Sequence, residues 1–203
     1  MTRTGDWIQT YSGRRWWPHD PRPEDVHHED FPAISQVVRF GGHCRGLYTV
    51  AQHSCLVYDY VALVHGGGDA PDREACDALC RSALTHDLHE IYPPGDQLSP
   101  FLRPLDATGI HWLRSVSDSA AACVRKRLEV PYALPGSVTH ADLVLLATER
   151  RDILVTPECL LPFWAQLPEP WSQRIEVWPA ERAWAEWRDR FTACFGWTPG
   201  DTQ

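Results

Sequence analysis

The sequence predicts an all-α protein, and three observations carry that expectation. Apolar residues recur at helical spacing through several long segments. No stretch alternates with the two-residue period of a half-buried strand, and glycine- and proline-rich breaks bound the helical segments. At 203 residues, 43% of them hydrophobic, the chain is long enough for one large domain with an attached arm. The boundaries expected are an arm over 1–33, packed on the domain beside a pocket, and a helical domain over 34–203.

The arm is irregular and proline-rich, yet it carries Trp7, Trp16 and Trp17, too many large aromatics for a free tail. The first helix is expected from Val50 to about Val64, with Leu56, Val57, Tyr60, Val61 and Val64 at helical spacing. GGGDAPD then breaks the chain and offers Asp72 as an N-cap. A second helix over 72–92 presents Ala75, Leu79, Ala83, Leu84, Leu88 and Ile91 on one stripe and is stopped by Pro93 and Pro94. A third is expected over 106–129. The segment VTHADLVLLATERRDIL, apolar nearly all round in its middle, reads as a central buried helix, and AERAWAEWRDRFTACF as a C-terminal amphipathic one.

Seven cysteines with no C-x-x-C pair read as reduced thiols used as small core residues, with Cys76 and Cys80 turned to one packing interface. The net charge of −8 argues against a nucleic-acid polymer as partner, because duplex affinity comes from Lys and Arg meeting phosphates. A small phosphorylated ligand needs only a local positive field. No apolar run approaches the roughly 20 residues that span a bilayer, and the first residues lack an apolar leader core. The expectation is a cytoplasmic protein without membrane partners.

Chemistry concentrates in four residues on three helical segments: His53, the His86-Asp87 pair, and Asp142. Each lies at or near the apolar side of its segment, where an unpartnered charge costs several kcal/mol. One divalent cation held by all four would resolve every case together, and two imidazoles with two carboxylates suit Zn, Mn, Fe or Co. Glu90 follows His86 by four and Asp87 by three, so on a continuous helix it projects from the same face one turn on, placed to take a proton from a metal-bound water. Each residue also has a plain reading by itself: His53 as a hydrogen-bonded core histidine, Asp142 as a first-turn residue behind a Thr139 cap, Glu90 as a solvated carboxylate, His89 as a surface group.

The segments RFGGHCRGLYTVAQHS, ALTHDLHEIYPPGDQLSPFLR and HADLVLLATERRDIL resemble the HD-domain phosphohydrolases, whose ligand order is His, His-Asp, Asp. The match runs over roughly residues 36 to 155 and is nearest the nucleotidase branch of bacterial 5′-deoxynucleotidases and phage dATP triphosphohydrolases. WIQTYSGRRWWPHDPRPEDV also resembles the arm of phage-type members. The resemblance implies an HD-type helical bundle with a metal on His53, His86, Asp87 and Asp142, and Glu90, with Asp87, in the catalytic role. It further implies that Arg39 and Phe40 lie at the substrate and that Asp96 and Arg103, with Gly95 and Pro100, contact sugar and phosphates. Phe40, Trp16 and Trp17 are the rings offered for stacking a base, the plain alternative for the tryptophans being packing of the arm on the domain.

The chain departs from the family pattern twice. PPGDQLSP is one residue longer than the commoner form, and RFGGHC inserts His43, either a general acid or the cap of a Gly41-Gly42 turn. The expected activity is metal-dependent hydrolysis of a deoxynucleotide: a dNTP to deoxynucleoside and triphosphate, or a dNMP to deoxynucleoside and phosphate. A triphosphate would call on a second Mg²⁺ and on Arg14, Arg15 or Arg45. A homo-oligomer is expected from the family. The alternatives are a catalytically silent nucleotide-binding sensor of the same fold, and a structural metal site, which would ordinarily close its shell with cysteines; Cys55 is the nearest.

Overall fold

The computed structural model describes residues 3, 5–66, 70–96, 111–155 and 162–200, with the side chains of 70–72 and 162 outside that description. Pro100, Arg103 and the first part of the expected third helix lie outside the described residues. The architecture is all-α, as the periodicity predicts: five α-helices among the described residues, and a sheet of two very short strands in the arm. No described helix is long and apolar enough to cross a membrane.

The arm is less irregular than its prolines suggest. Strands β1 (Ile8–Gln9) and β2 (Arg15–Trp16) pair antiparallel, with Ile8 opposite Trp16. Two residues are too few to show alternation, so pattern reading passes over them. Trp16 is fully buried and stacks on Tyr92 with ring centroids 3.8 Å apart. Val26, Phe31 and Ile34 enter the same core. Trp17 is half-buried, with the Arg3 guanidinium 4.5 Å over its ring.

Helix α1 (Val50–His65) is capped by Thr49, whose hydroxyl accepts from the Gln52 amide at 3.3 Å. Every residue from Val50 to Val57 is buried, and the helix stands between two apolar clusters. Ala51 and Cys55 face the arm and the C-terminal helix. Leu56, Val57 and Val61 pack with Cys76, Cys80 and Ala83 and with Val138, Ala141 and Leu145. The central position therefore belongs to α1. Helix α4 (Gly136–Asp152), which the sequence placed at the centre, is buried most fully from Val144 to Glu149.

Helix α2 runs from Ala70 to Thr85. It starts two residues before Asp72, which is no N-cap, and stops well short of the proline pair. Its buried stripe is Cys76, Cys80, Ala83 and Leu84, while Ala75 is exposed. The two thiols meet at 3.9 Å as expected, and the six described cysteines are all free. After Thr85 the chain turns: Asp87 sits at φ −105°, ψ 8°, and a 3₁₀ turn covers Leu88–Ile91. Leu88 still reaches the core, because a 3₁₀ turn sustains nearly the same spacing as the helix it replaces. The expected single helix over 72–92 is thus two elements.

Helix α3 (Trp112–Arg127) buries Ala120, Ala121, Cys123 and Val124 and ends on Arg125, Lys126 and Arg127, which complement its dipole. Helix α5 (Ala180–Phe195) buries Ala183, Trp187 and Phe191 and stops at Gly196, which takes the left-handed conformation at φ 76°. The Trp187 indole donates to the Leu84 carbonyl at 3.1 Å, tying α5 to the end of α2 just before His86.

Candidate metal centre

A short pairing brings the first site residues together. Val38 and Thr49 form an antiparallel bridge, with Arg39 N donating to Tyr48 O and Val50 N to Val37 O, both at 2.9 Å. Arg39 is thereby held beside the first turn of α1, which carries His53. The turn after Arg39 is unusual. Phe40 lies in the left-handed region at φ 57°, followed by Gly41 and Gly42 at φ 57° and 80°. A non-glycine residue there costs on the order of 1–2 kcal/mol. Asp96 meets part of that cost, because its carboxylate accepts from the Phe40 amide at 2.9 Å. His43 is exposed, and its amide donates to the Phe40 carbonyl at 3.0 Å, closing the turn.

Three of the four expected donors converge without qualification. One donor atom each from His53, His86 and Asp142 lie within 4.8 Å of one another, a group that could hold a metal ion. The Nε2 atoms of the two histidines are 3.3 Å apart, and Asp142 Oδ1 lies 3.1 Å from His53 Nε2 and 3.9 Å from His86 Nε2. The Asp87 carboxylate stands at the same place, with Oδ2 3.1 Å from His86 Nε2 and 3.7 Å from His53 Nε2. Donors sharing one cation at about 2.1 Å sit roughly 3.0 to 3.4 Å apart for octahedral neighbours or tetrahedral corners; the 3.1 and 3.3 Å spacings fall in that range, and the 3.7 and 3.9 Å ones are wider. No cysteine joins the described group; Cys55 is buried in the core.

His53 is a fully buried, hydrogen-bonded histidine, as its plain reading has it, and its Nε2 also faces two carboxylates and a second imidazole. The plain reading of Asp142 does not hold. Asp142 lies in the second turn of a helix that starts at Gly136, and the Thr139 hydroxyl donates back to Pro135 O at 3.4 Å, so neither residue caps that helix.

Electrostatics reinforce the geometry. Burial and the Arg39 guanidinium disfavour a charged His53, but Glu149 and Asp142 outweigh them and its pKa is pushed up to about 9. Burial likewise opposes ionisation of Asp87, yet His86, His53 and Arg39 hold its carboxyl well below the usual range. Asp142 is lowered against its burial by the two histidines. A cation would compete with a proton for His53 Nε2, which is how imidazole sites couple metal binding to proton release.

Glu90 arrives from the 3₁₀ turn and not from α2. Its Oε2 is shielded from solvent and has no hydrogen-bond partner. Burial first, then the Asp87 and Asp96 carboxylates, push its carboxyl well above the ordinary value, with Arg39 opposing. Arg39 is itself buried. Nη1 donates to Asp87 Oδ2 at 3.2 Å and Nη2 to Glu149 Oε2 at 3.4 Å, leaving Nε shielded and unpartnered. Its guanidinium lies 5.4 Å from the Phe40 ring centre. Arg14 and Arg15 are engaged within the arm, Arg14 on Glu29 and His27 and Arg15 over the Trp7 ring.

Sequence reading missed Glu149. This fully buried carboxylate accepts from His53 Nδ1 at 2.6 Å and from Arg39. A signal was present: Glu149 follows Asp142 by seven, two turns along the same face of a helix read as buried.

No known protein family matches the chain. It is 28% identical over 147 residues to the uncharacterized protein YfdR of Escherichia coli (strain K12), an alignment covering 72% of this chain and 71% of that protein. The likeness thus extends well beyond one motif, and the described part of the chain is an all-α fold with a His53–His86–Asp142 group able to hold a metal ion.

Proposed function

We propose that the protein is a metal-dependent phosphohydrolase of the HD-domain kind acting on deoxynucleotides. The observation that carries this reading is the convergence of His53, His86 and Asp142 with Asp87 beside them, and the placement of Glu90 and Arg39 around that point. When bound, a divalent Zn, Mn, Co or Fe ion supplies a Lewis acid that polarises a phosphoryl oxygen and makes water a competent nucleophile near neutral pH.

The chain's own groups do the rest. His53 and His86 present Nε2, and Asp87 and Asp142 present one carboxylate oxygen each, so two of the cation's charges are matched by two carboxylates. Glu90 accepts a proton from the attacking water through its carboxylate, which burial and the neighbouring carboxylates make the stronger base. The Arg39 guanidinium, held by Asp87 and Glu149, stabilises charge on the phosphoryl oxygens as the P–O bond to the nucleoside breaks. Phe40 and Asp96 form the wall beside Arg39, with the base or sugar against the Phe40 ring. The electron pair of the breaking bond leaves with the nucleoside oxygen, which takes up a proton, and the phosphorus keeps the water-derived oxygen.

The test is a panel of deoxynucleoside mono-, di- and triphosphates incubated with Co²⁺, Mn²⁺, Zn²⁺ or Mg²⁺, products being separated by ion exchange and Asp87→Ala serving as control. Release of phosphate or tripolyphosphate that the variant abolishes is the expected result and names the substrate class. No hydrolysis across the panel by a protein that still binds metal and nucleotide would refute the reading in favour of a sensor.

A further inference from the structure

The Asp142 face of α4 continues to Glu149, a residue with no place in the ligand set. Its side chain is fully buried, and such a carboxylate is tolerated only with close donors. It has two, and both belong to the site: His53 through Nδ1 at 2.6 Å and Arg39 through Nη2 at 3.4 Å, one on each carboxylate oxygen. The Tyr48 hydroxyl, also buried, lies near enough to favour the charged form without making a formed hydrogen bond.

We propose that Glu149 is a positioning residue that sets the metal centre and the substrate arginine with one side chain. The inference rests on the metal-centre reading above. An ionised carboxylate can only accept, so the proton on the bond to His53 must sit on Nδ1, and the Nε2 lone pair is left to face Asp142, His86 and Asp87. Such a partner fixes both tautomer and ring orientation and makes the ligand nitrogen more basic. The second oxygen holds the Arg39 fork from the side away from Asp87, so that its two nitrogens are braced by Glu149 and Asp87 and Nε is the donor left over. Displacing Glu149 would let two functional groups drift together.

Glutamine separates this role from simple core filling. In Glu149→Gln the amide oxygen can still accept from Nδ1–H, but the amide nitrogen then faces the Arg39 guanidinium, donor against donor. Turned the other way, the amide nitrogen faces Nδ1 and favours the tautomer that blocks Nε2.

The experiment is calorimetric titration of Mn²⁺ into metal-free wild type and Glu149→Gln at pH 8, with circular dichroism to establish that both are folded. Wild type should bind one Mn²⁺, and the variant should bind it about 10- to 100-fold more weakly. Glu149→Asp, which keeps the charge one methylene short, should recover part of that loss. Wild type and Glu149→Gln binding within twofold of each other would overturn the role while leaving the metal centre standing. Wild type binding no Mn²⁺ would overturn the metal centre, and this inference with it. If Glu149→Gln does not fold, imidazole ¹⁵N–¹H spectra of Zn²⁺-loaded wild type decide, with the His53 signal assigned by His53→Gln. A proton on Nδ1 with Nε2 on the metal supports the role, and a proton on Nε2 overturns it.

Discussion

Asp152 offers the sharpest test of how the site is supported. It closes α4 three residues beyond Glu149. Oδ1 accepts from Arg151 Nε at 2.7 Å and Arg174 Nη1 at 2.6 Å, and Oδ2 accepts from Arg151 Nη2 at 2.7 Å and the Ile175 amide at 2.9 Å. Only 4% of its side chain is exposed, whereas Arg174 is 72% exposed and its share must be discounted for solvent screening. Asp152→Asn keeps one acceptor for the Ile175 amide but loses the bidentate charge on Arg151. Two charge-assisted hydrogen bonds at a shielded site put the loss at about 2–3 kcal/mol, or a fall in Tm of about 5–10 °C for a chain this long.

The pH dependence carries a definite sign. Burial opposes ionisation of Asp152, but Arg151, the Ile175 amide and Arg174 hold its folded pKa below the unfolded value. Its contribution is therefore complete above about pH 4 to 5 and is lost as pH falls toward the folded pKa. At pH 3 protonation of the unfolded chain, with a reference pKa of about 3.9, removes about 1.3 kcal/mol. Urea denaturation of wild type and variant from pH 7 to 3 isolates the group, because the other acids are common to both. The gap between them should be flat to about pH 5 and roughly halved at pH 3. A gap below 0.5 kcal/mol at pH 7 (an order-of-magnitude floor set by exposed ion pairs), or one that persists unchanged at pH 3, would refute the reasoning.

Glu90→Gln should bind Mn²⁺ and deoxynucleotide like wild type and lose about 100- to 10,000-fold in kcat, the usual share of a general base; turnover near the wild-type rate would remove its role. Asp87→Ala should lose the Mn²⁺ binding expected of wild type in calorimetry, and a variant keeping one tightly bound ion would strike Asp87 from the ligand set. Trp187→Phe removes the hydrogen bond to Leu84 and part of a fully buried ring packed on Trp184, Phe191 and Phe31. It should cost about 2–4 kcal/mol in chemical denaturation, and a loss under about 1 kcal/mol would mean that α5 does not depend on this anchor.

What the sequence disclosed and what it hid divide along physical lines. His53, His86 and Asp142 were legible because polar groups on apolar stripes demand partners, and the fold brings them to one point. The break after Thr85 was hidden because Leu88 and Ile91 continue the spacing of Ala83 and Leu84 across it. Apolar periodicity does not separate an α-helix from a 3₁₀ turn that keeps the same residues inside. Glu149 was hidden for another reason. Acidic residues near a helix end ordinarily face water, and only the approach of Arg39 from 110 residues earlier makes this one a core residue. The cap assigned to Asp72 failed because α2 starts at Ala70, a boundary that capping statistics locate only to within a residue or two.

The Trp16–Tyr92 stack has a consequence for anyone who would shorten or redesign this chain. Tyr92 stands four residues before Asp96, so the stack with the arm anchors the chain just ahead of the residue that holds the Phe40 amide. A chain cut to begin at residue 34 would strip Trp16, Val26 and Phe31 from the core in a single step and leave Tyr92 facing water. The smallest folded unit is therefore longer than the segments that bring His53, His86 and Asp142 together. Substitutions at Trp16, Val26 or Phe31 are core mutations, although these residues precede every α-helix of the bundle.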